Sequence, residues 1–122
     1  MIRNSVTSKN SSTVTVGKGK SATFTWAANP SSIFRVYSSK MNTGDDDKDY
    51  LAAGIGTAFE VLMMRIKDTI YEGRFEAIAP GQKLGDYSIT LNNVNYNDSG
   101  TVFRAQTLDS KSSITLEVQG KP

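Results

Sequence analysis

Short runs in which apolar and polar residues alternate recur along this chain, and turn-forming residues separate them. The runs cover residues 13–16, 22–26, 33–37, 74–78, 87–91, 102–105 and 114–118. Such alternation places successive side chains on opposite faces of a half-buried β-strand. Together with the apolar segment 59–66, the pattern predicts about eight or nine short strands, which is typical of an all-β sandwich of two sheets.

Two segments do not follow this alternation. Residues 42–56 are interpreted as an extended loop that is acidic in its first half and rich in small residues in its second. Residues 58–67 are open to two interpretations, because Met, Leu, Glu and Arg favour a short helix whereas the apolar run suits a strand. We expect one domain over residues 1–122, with about residues 1–10 and 120–122 frayed at the ends.

The composition narrows the possible functions. The chain contains neither histidine nor cysteine, which removes Ser-His-Asp and Cys-His nucleophilic centres, disulfides and nearly every zinc or copper site. The net charge is only +2 and the basic residues are scattered, unlike the concentrated basic surface of a nucleic-acid-binding protein. We therefore expect a binding protein, with no catalytic residues, cofactor, metal site, nucleic-acid partner or small-molecule substrate.

Two polar features suggest modification or recognition. The sequons at Asn10 and Asn97 predict sites of N-linked glycosylation. The acidic run from Asp45 to Asp49 does not have the spacing of an EF-hand loop, so a solvated loop is expected rather than a calcium site. Its charge is also suited to meeting a partner's basic residues, which would affect specificity more than affinity.

The sequence from Leu91 to Gly100, LNNVNYNDSG, resembles the E strand, the E–F corner and the start of the F strand in V-set immunoglobulin domains. The family pattern there is L-x-x-V-x-x-x-D-S-G. The resemblance implies a two-sheet, immunoglobulin-like (V-set) sandwich with Greek-key connections. It also implies an ion pair between Arg74, at the start of strand D, and Asp98 of the corner.

The chain departs from that family at the residues that normally join the two sheets. Trp26 occupies the B-strand cysteine position, and Phe34 is the best candidate for the place of the C-strand tryptophan. The F-strand cysteine position falls on Arg104 by direct spacing, or on Ala105 if a bulge shifts the register. An inward Ala105 would let Trp26 and Phe34 supply the core volume of the missing disulfide.

Cysteine-free sandwiches of this kind resemble the membrane-distal domains of hydrozoan allorecognition receptors. That resemblance implies an extracellular domain of a membrane-anchored protein that binds like domains on opposing cells. The alternative is a heterophilic ectodomain, such as a channel auxiliary subunit or a receptor's ligand-binding module. A polysaccharide-binding module with exposed aromatic residues is a further possibility.

Segments 33–37 and 59–64 are apolar on both faces, whereas a strand of a two-sheet sandwich normally exposes a polar face. We interpret them as neighbouring strands C and C′ of one sheet, with a docking surface on their outward side. The predicted partner-binding residues are Arg35, Tyr37, Val61, Met63 and Phe103. Two alternatives remain: a helix or the acidic loop covers this face, or a one-residue slip exchanges the outward set.

Overall fold

The computed structural model describes residues 6–8, 12–29, 31–41, 44–45, 47–56, 58–78, 86–108 and 110–120. They form ten strands, one short helix and one 3₁₀ turn. The strands are β1 (Thr7–Ser8), β2 (Thr13–Gly17), β3 (Ala22–Ala27), β4 (Phe34–Ser38), β5 (Tyr50–Ile55), β6 (Ala58–Val61), β7 (Phe75–Ile78), β8 (Asp86–Leu91), β9 (Val102–Gln106) and β10 (Lys111–Gln119). Helix α1 is Met63–Ile66, and the 3₁₀ turn is Tyr96–Asp98.

The strands make two sheets packed face to face. One has four strands in the order β1-β3-β8-β7, and the other has six in the order β2-β10-β9-β4-β5-β6. Neighbouring strands are antiparallel except for β2, which runs parallel to β10. The two-sheet, all-β sandwich predicted from the alternation is confirmed.

Segments 42–56 and 58–67 differ from their predicted structures. The second half of the expected loop is strand β5, which pairs with β4. Segment 58–67 is a strand followed by a helix, since β6 ends at Val61 and α1 begins at Met63. The neighbour of β4 on this side is therefore β5, with β6 one strand further out at the sheet edge.

The core is built from aromatic side chains in two groups. The first group consists of Trp26, Phe34, Phe59 and Tyr87, and its tightest contact is the stacked pair Phe34 and Tyr87, with ring centroids 4.2 Å apart. The second group consists of Phe24, Tyr71, Phe75 and Phe103. Phe24 and Trp26, 6.4 Å apart on β3, connect the two groups.

The register of β9 decides which residue takes the F-strand cysteine position. Ala105 lies beside Val36 and is fully buried, whereas Arg104 lies beside Tyr37 on the outward side. Phe103 shares the inward face with Ala105 because residues two apart on a strand point the same way. Phe103 is fully buried, so the predicted outward orientation of this residue is wrong.

Polar contacts stabilise the end of the sandwich where the segment before β7 meets the 3₁₀ turn. Arg74 Nη2 donates to Asp98 Oδ2 at 2.6 Å, and Asp98 is only 2% exposed. The same carboxylate accepts from the Asn95 backbone N–H, which makes a capping box at the 3₁₀ turn. Beside this corner, the buried hydroxyls of Tyr71 and Ser38 lie 2.6 Å apart.

Candidate binding face

The outward side of the six-stranded sheet carries arginine and tyrosine side chains stacked on one another. We call the surface formed by Arg35, Tyr37, Tyr50, Arg65 and Arg104 the outer face. The Arg104 guanidinium lies 4.2 Å from the centre of the Tyr37 ring. Arg35 and Arg65 both stack on Tyr50, at 4.5 Å and 4.3 Å. Contacts of this type hold charged groups in fixed positions at a surface.

Strand geometry accounts for these stacks. Tyr37 is directly opposite both Arg104 of β9 and Tyr50 of β5, and the two tyrosine rings meet edge to face at 6.1 Å. The register between β4 and β5 shifts at Val36 and Tyr37, which brings Tyr50 beside Tyr37. Side chains directly opposite on adjacent strands are close enough for aromatic and guanidinium contacts.

The acidic loop between β4 and β5 reaches the edge of the outer face. Asp47 forms an ion pair with Arg35 at 3.6 Å, and Arg65 donates to the backbone carbonyl of Lys48. A hydrogen bond with Tyr37 is the main cause that raises the pKa of Arg35, and its charge is retained at any physiological pH. The loop thus anchors two of the arginines, while Asp47 itself remains highly exposed.

The predicted partner-binding residues are distributed differently from expectation. Arg35 lies on the outer face, and Met63 is 61% exposed on α1. Tyr37 points outward but is only 4% exposed, because Arg104 and Tyr50 cover it. Val61 packs partly against the core, and Phe103 lies within it. The prediction of a continuous apolar surface on segments 33–37 and 59–64 is therefore wrong. The centre of the outward side carries arginine and tyrosine side chains instead.

The sequence pattern does not indicate that Tyr50, Arg65 and Arg104 are parts of this face. Tyr50 lies within the segment interpreted as a loop, where no pairing with Tyr37 is expected. Direct spacing from the E–F corner favours a core position for Arg104. The alternation of Arg35 and Tyr37 with buried Phe34 and Val36 was the available signal, because it fixes which residues of β4 point outward.

The outward side of the four-stranded sheet has a different chemical character. Its two central strands carry hydroxyl pairs, Thr23 with Thr90 at 2.9 Å and Thr25 with Ser88 at 2.8 Å. These pairs satisfy one another across β3 and β8. The centre of this surface is therefore small, neutral and internally hydrogen-bonded, in contrast to the outer face.

The described part of the chain includes only one of the two predicted glycosylation sites. No group of three acidic, histidine or cysteine residues within it is arranged to hold a metal ion. Asn97 is exposed on the 3₁₀ turn, whereas Asn10 lies outside the described residues. Within the described ranges, no helix has the length and apolar character needed to cross a membrane.

Comparisons with known proteins agree with the architecture. No protein-family model and no curated protein matches the chain. Among solved structures, 845 chains match, a number that shows how widely the fold is used. One is the ectodomain of the teleost fish polymeric Ig receptor, with a TM-score of 0.64 and 14% sequence identity. The match covers 96% of this chain and 48% of that one, so this chain spans about half the length of the receptor ectodomain.

The structural likeness identifies the fold. The chain is an all-β, immunoglobulin-like sandwich, and it has no disulfide because it has no cysteine. A fold that so many chains share does not by itself assign a function.

Proposed function

We propose that this chain is a V-set immunoglobulin-like domain of the extracellular part of a membrane-anchored protein, and that it binds a like domain on an opposing cell in self/non-self recognition. The sheet order supports the V-set assignment. Variable-type domains add strands C′ and C″ to the sheet of strands C, F and G, and β5 and β6 occupy those positions beside β4. The resemblance of Leu91–Gly100 to the E–F corner, and the ion pair made there by Arg74, point the same way.

The observation that carries the binding function is the stacking of arginine and tyrosine on the outer face. Tyrosine and arginine are enriched at protein interfaces and among the residues that dominate binding energy. Their stacking fixes rotamers before any partner arrives, which lowers the entropy lost on association. Arg35 and Arg104 are partly exposed there, so a partner can contact part of each side chain.

The outward side of the six-stranded sheet also carries charges of both signs at separate places, which favours self-association. Lys111 of β10 and Arg104 of β9 lie on one side, and Glu60 of the edge strand β6 lies on the other. A surface with both signs can present complementary potentials to a second copy of itself. Individual contacts of this kind are weak, and display of many copies on two membranes raises the overall affinity.

Sedimentation velocity over a wide concentration range tests this proposal. We expect the wild-type chain to form dimers in a concentration-dependent way. For Arg104→Glu we expect the dimer dissociation constant to be at least tenfold larger. Lys20→Glu is the matched control, because it makes the same change of charge at an exposed residue of the β2–β3 turn. A wild-type chain that stays monomeric at the highest concentration would refute homophilic binding and favour a heterophilic ectodomain.

A further inference from the structure

The sequon of Asn97 coincides with the 3₁₀ turn, in the segment 95–100 that we call the corner. Asn97 is exposed, and its carboxamide makes no hydrogen bond with the described residues. It borders an open groove that is also lined by Lys40, Arg65 and Thr69. A sugar attached to Asn97 Nδ2 would extend over this groove toward solvent without displacing the core. The folded chain therefore has room for a glycan at this position.

The middle residue of the sequon is held in the interior. Asp98 is almost completely buried, and its carboxylate is paired with Arg74. The same carboxylate accepts from the Asn95 N–H, while the Asn95 side chain accepts from the Asn97 N–H. These bonds fix the backbone of the turn on both sides of Asn97. Another protein can reach the Asn97 side chain, but it cannot take hold of Asp98 unless the turn opens.

The third residue of the sequon is tied to the last strand. The Ser99 hydroxyl accepts a hydrogen bond from the Val118 N–H of β10 at 3.1 Å. Tyr96, at the start of the turn, donates from its hydroxyl to the Gly120 carbonyl just after the same strand, at 2.9 Å. The corner is therefore complete only when β10 has docked.

The chemistry of N-linked glycan transfer requires access to the whole sequon. The donor is an oligosaccharide joined through its anomeric carbon to a lipid diphosphate. Asn97 Nδ2 forms a bond to that carbon while the bond from the carbon to the diphosphate oxygen breaks. The lipid diphosphate leaves, and an amide proton passes to a base of the transferring enzyme. Because the enzyme selects the sequon through the hydroxyl of its third residue, it must hold Asn97 and Ser99 in its own site together.

The order of synthesis leaves an interval in which this access exists. Val118 follows Ser99 by 19 residues, so the partner of the Ser99 hydroxyl is made after the sequon. At a synthesis rate of about 5–20 residues per second, this delay is on the order of 1–4 s. During that interval β10 cannot close the corner.

We propose that Asn97 carries an N-linked glycan that is transferred before the corner closes, so that folding of the corner and glycan transfer compete for the same residues. This inference rests on the proposed extracellular function, because such transfer takes place in the secretory pathway. Once the corner has closed, an Asn97 that was not modified stays unmodified. The contacts of Arg74 and β10 with the sequon therefore limit how much of the chain is glycosylated.

Glycan transfer to the purified chain tests whether the closed corner is a barrier. The reaction contains solubilised oligosaccharyltransferase and lipid-linked oligosaccharide. The acceptor is the Asn10→Gln chain, in which Asn97 keeps the one remaining sequon. A peptide of residues 91–104 serves as the unfolded acceptor. We expect the folded chain to be modified at least tenfold more slowly than the peptide, and equal rates, or no transfer to the peptide, would overturn the inference.

A variant that loosens the corner gives a second readout. Arg74→Lys keeps the charge but loses the two-pronged contact with Asp98. In the Asn10→Gln background we expect transfer to this folded variant to be at least threefold faster. Arg35→Lys is the matched control, because it makes the same change on β4, outside the corner, and it should leave the rate unchanged. Circular dichroism checks that both variants are folded. An unchanged rate for Arg74→Lys would show that the corner does not limit transfer.

Expression in secretory cells tests the modification itself. The Asn10→Gln chain is directed into the endoplasmic reticulum by an added leader. We expect a glycosidase-sensitive increase in mass that Asn97→Gln removes. If this increase is absent, the inference is wrong, and homophilic binding is still judged by sedimentation. If Asn97 is glycosylated but the chain does not self-associate, homophilic binding fails and the inference stands.

Discussion

Replacing Arg74 by alanine tests its ion pair with Asp98 of the 3₁₀ turn. Arg74 makes a two-pronged contact with Asp98, from Nη2 to Oδ2 at 2.6 Å and from Nη1 to Oδ1 at 3.4 Å. Its other hydrogen bonds go to the backbone carbonyls of Ile70, Asn92 and Asn93. One side chain therefore joins the segment before β7 to the segment after β8.

The structure indicates the size of the effect. The side chains of Arg74 and Asp98 are 17% and 2% exposed, so the alanine variant leaves an almost completely buried carboxylate without its counter-charge. Breaking a buried pair in this way costs about 3–5 kcal/mol. The carboxylate keeps its hydrogen bond from the Asn95 N–H, which lowers the expected loss of unfolding free energy to about 3 kcal/mol. Arg74→Lys keeps the charge but loses the fork geometry, so we expect about half that loss.

Urea unfolding of a double-mutant cycle measures the coupling. The set is the wild type, Arg74→Ala, Asp98→Asn and the double variant, all at pH 7. We expect a coupling energy of at least 1.5 kcal/mol, because the two side chains are in direct contact and share the corner (about 0.5–3 kcal/mol for such neighbours). Additive effects of the two single changes would show that the pair does not stabilise the fold, even if each change alone is destabilising.

Three further predictions test the core and the sheet. Burial raises the pKa of Tyr71 above its ordinary value of 10.0. The stabilisation that the neutral Tyr71 contributes is therefore fully present below about pH 10, and above it the free energy of unfolding falls by up to about 1.4 kcal/mol per pH unit. Tyr71→Phe should reduce that alkaline loss of stability in urea unfolding experiments. A side chain at Gly54 would collide with the Ala58 carbonyl, so Gly54→Ala should cost about 1–3 kcal/mol in the same assay, whereas Gly17→Ala, which has room, should cost under about 0.5 kcal/mol. Trp26→Ala should lower the unfolding free energy by about 3–5 kcal/mol and Trp26→Phe by less; a strong near-ultraviolet circular dichroism signal from this single tryptophan would show that it is held rigidly, and its absence would contradict the core assigned to it.

Alternation predicted most of the strands because each has one buried and one solvated face. Residues 87–91 alternate clearly, and β8 runs from Asp86 to Leu91. Strand β5 was missed because Ala52, Ala53 and Gly54 show no contrast between apolar and polar positions. Such a strand is specified by its neighbours, since β4 and β6 supply hydrogen bonds on both sides.

The candidate site was less predictable than the fold. Arg35 and Met63 lie where a partner can reach them, but the stacks on Tyr50 depend on a register shift between β4 and β5 that no local pattern reveals. The placement of Phe103 on the outer face conflicted with that of Ala105 on the inner one, since the two are two residues apart.

The register of β9 and the burial of Trp26 together account for how the two sheets pack without a disulfide. A bridge between the positions of Trp26 and Ala105 would close a loop of about 80 residues and contribute roughly 4–5 kcal/mol in the chain-entropy model. Burying one tryptophan that contacts both Phe24 and Phe34 is worth a similar amount, about 3–5 kcal/mol by truncation data. The exchange needs a small residue on the opposite sheet, and the register of β9 supplies one by turning Ala105 inward. The same register turns Arg104 outward onto Tyr37, so the strand that supplies the small core residue also supplies part of the outer face.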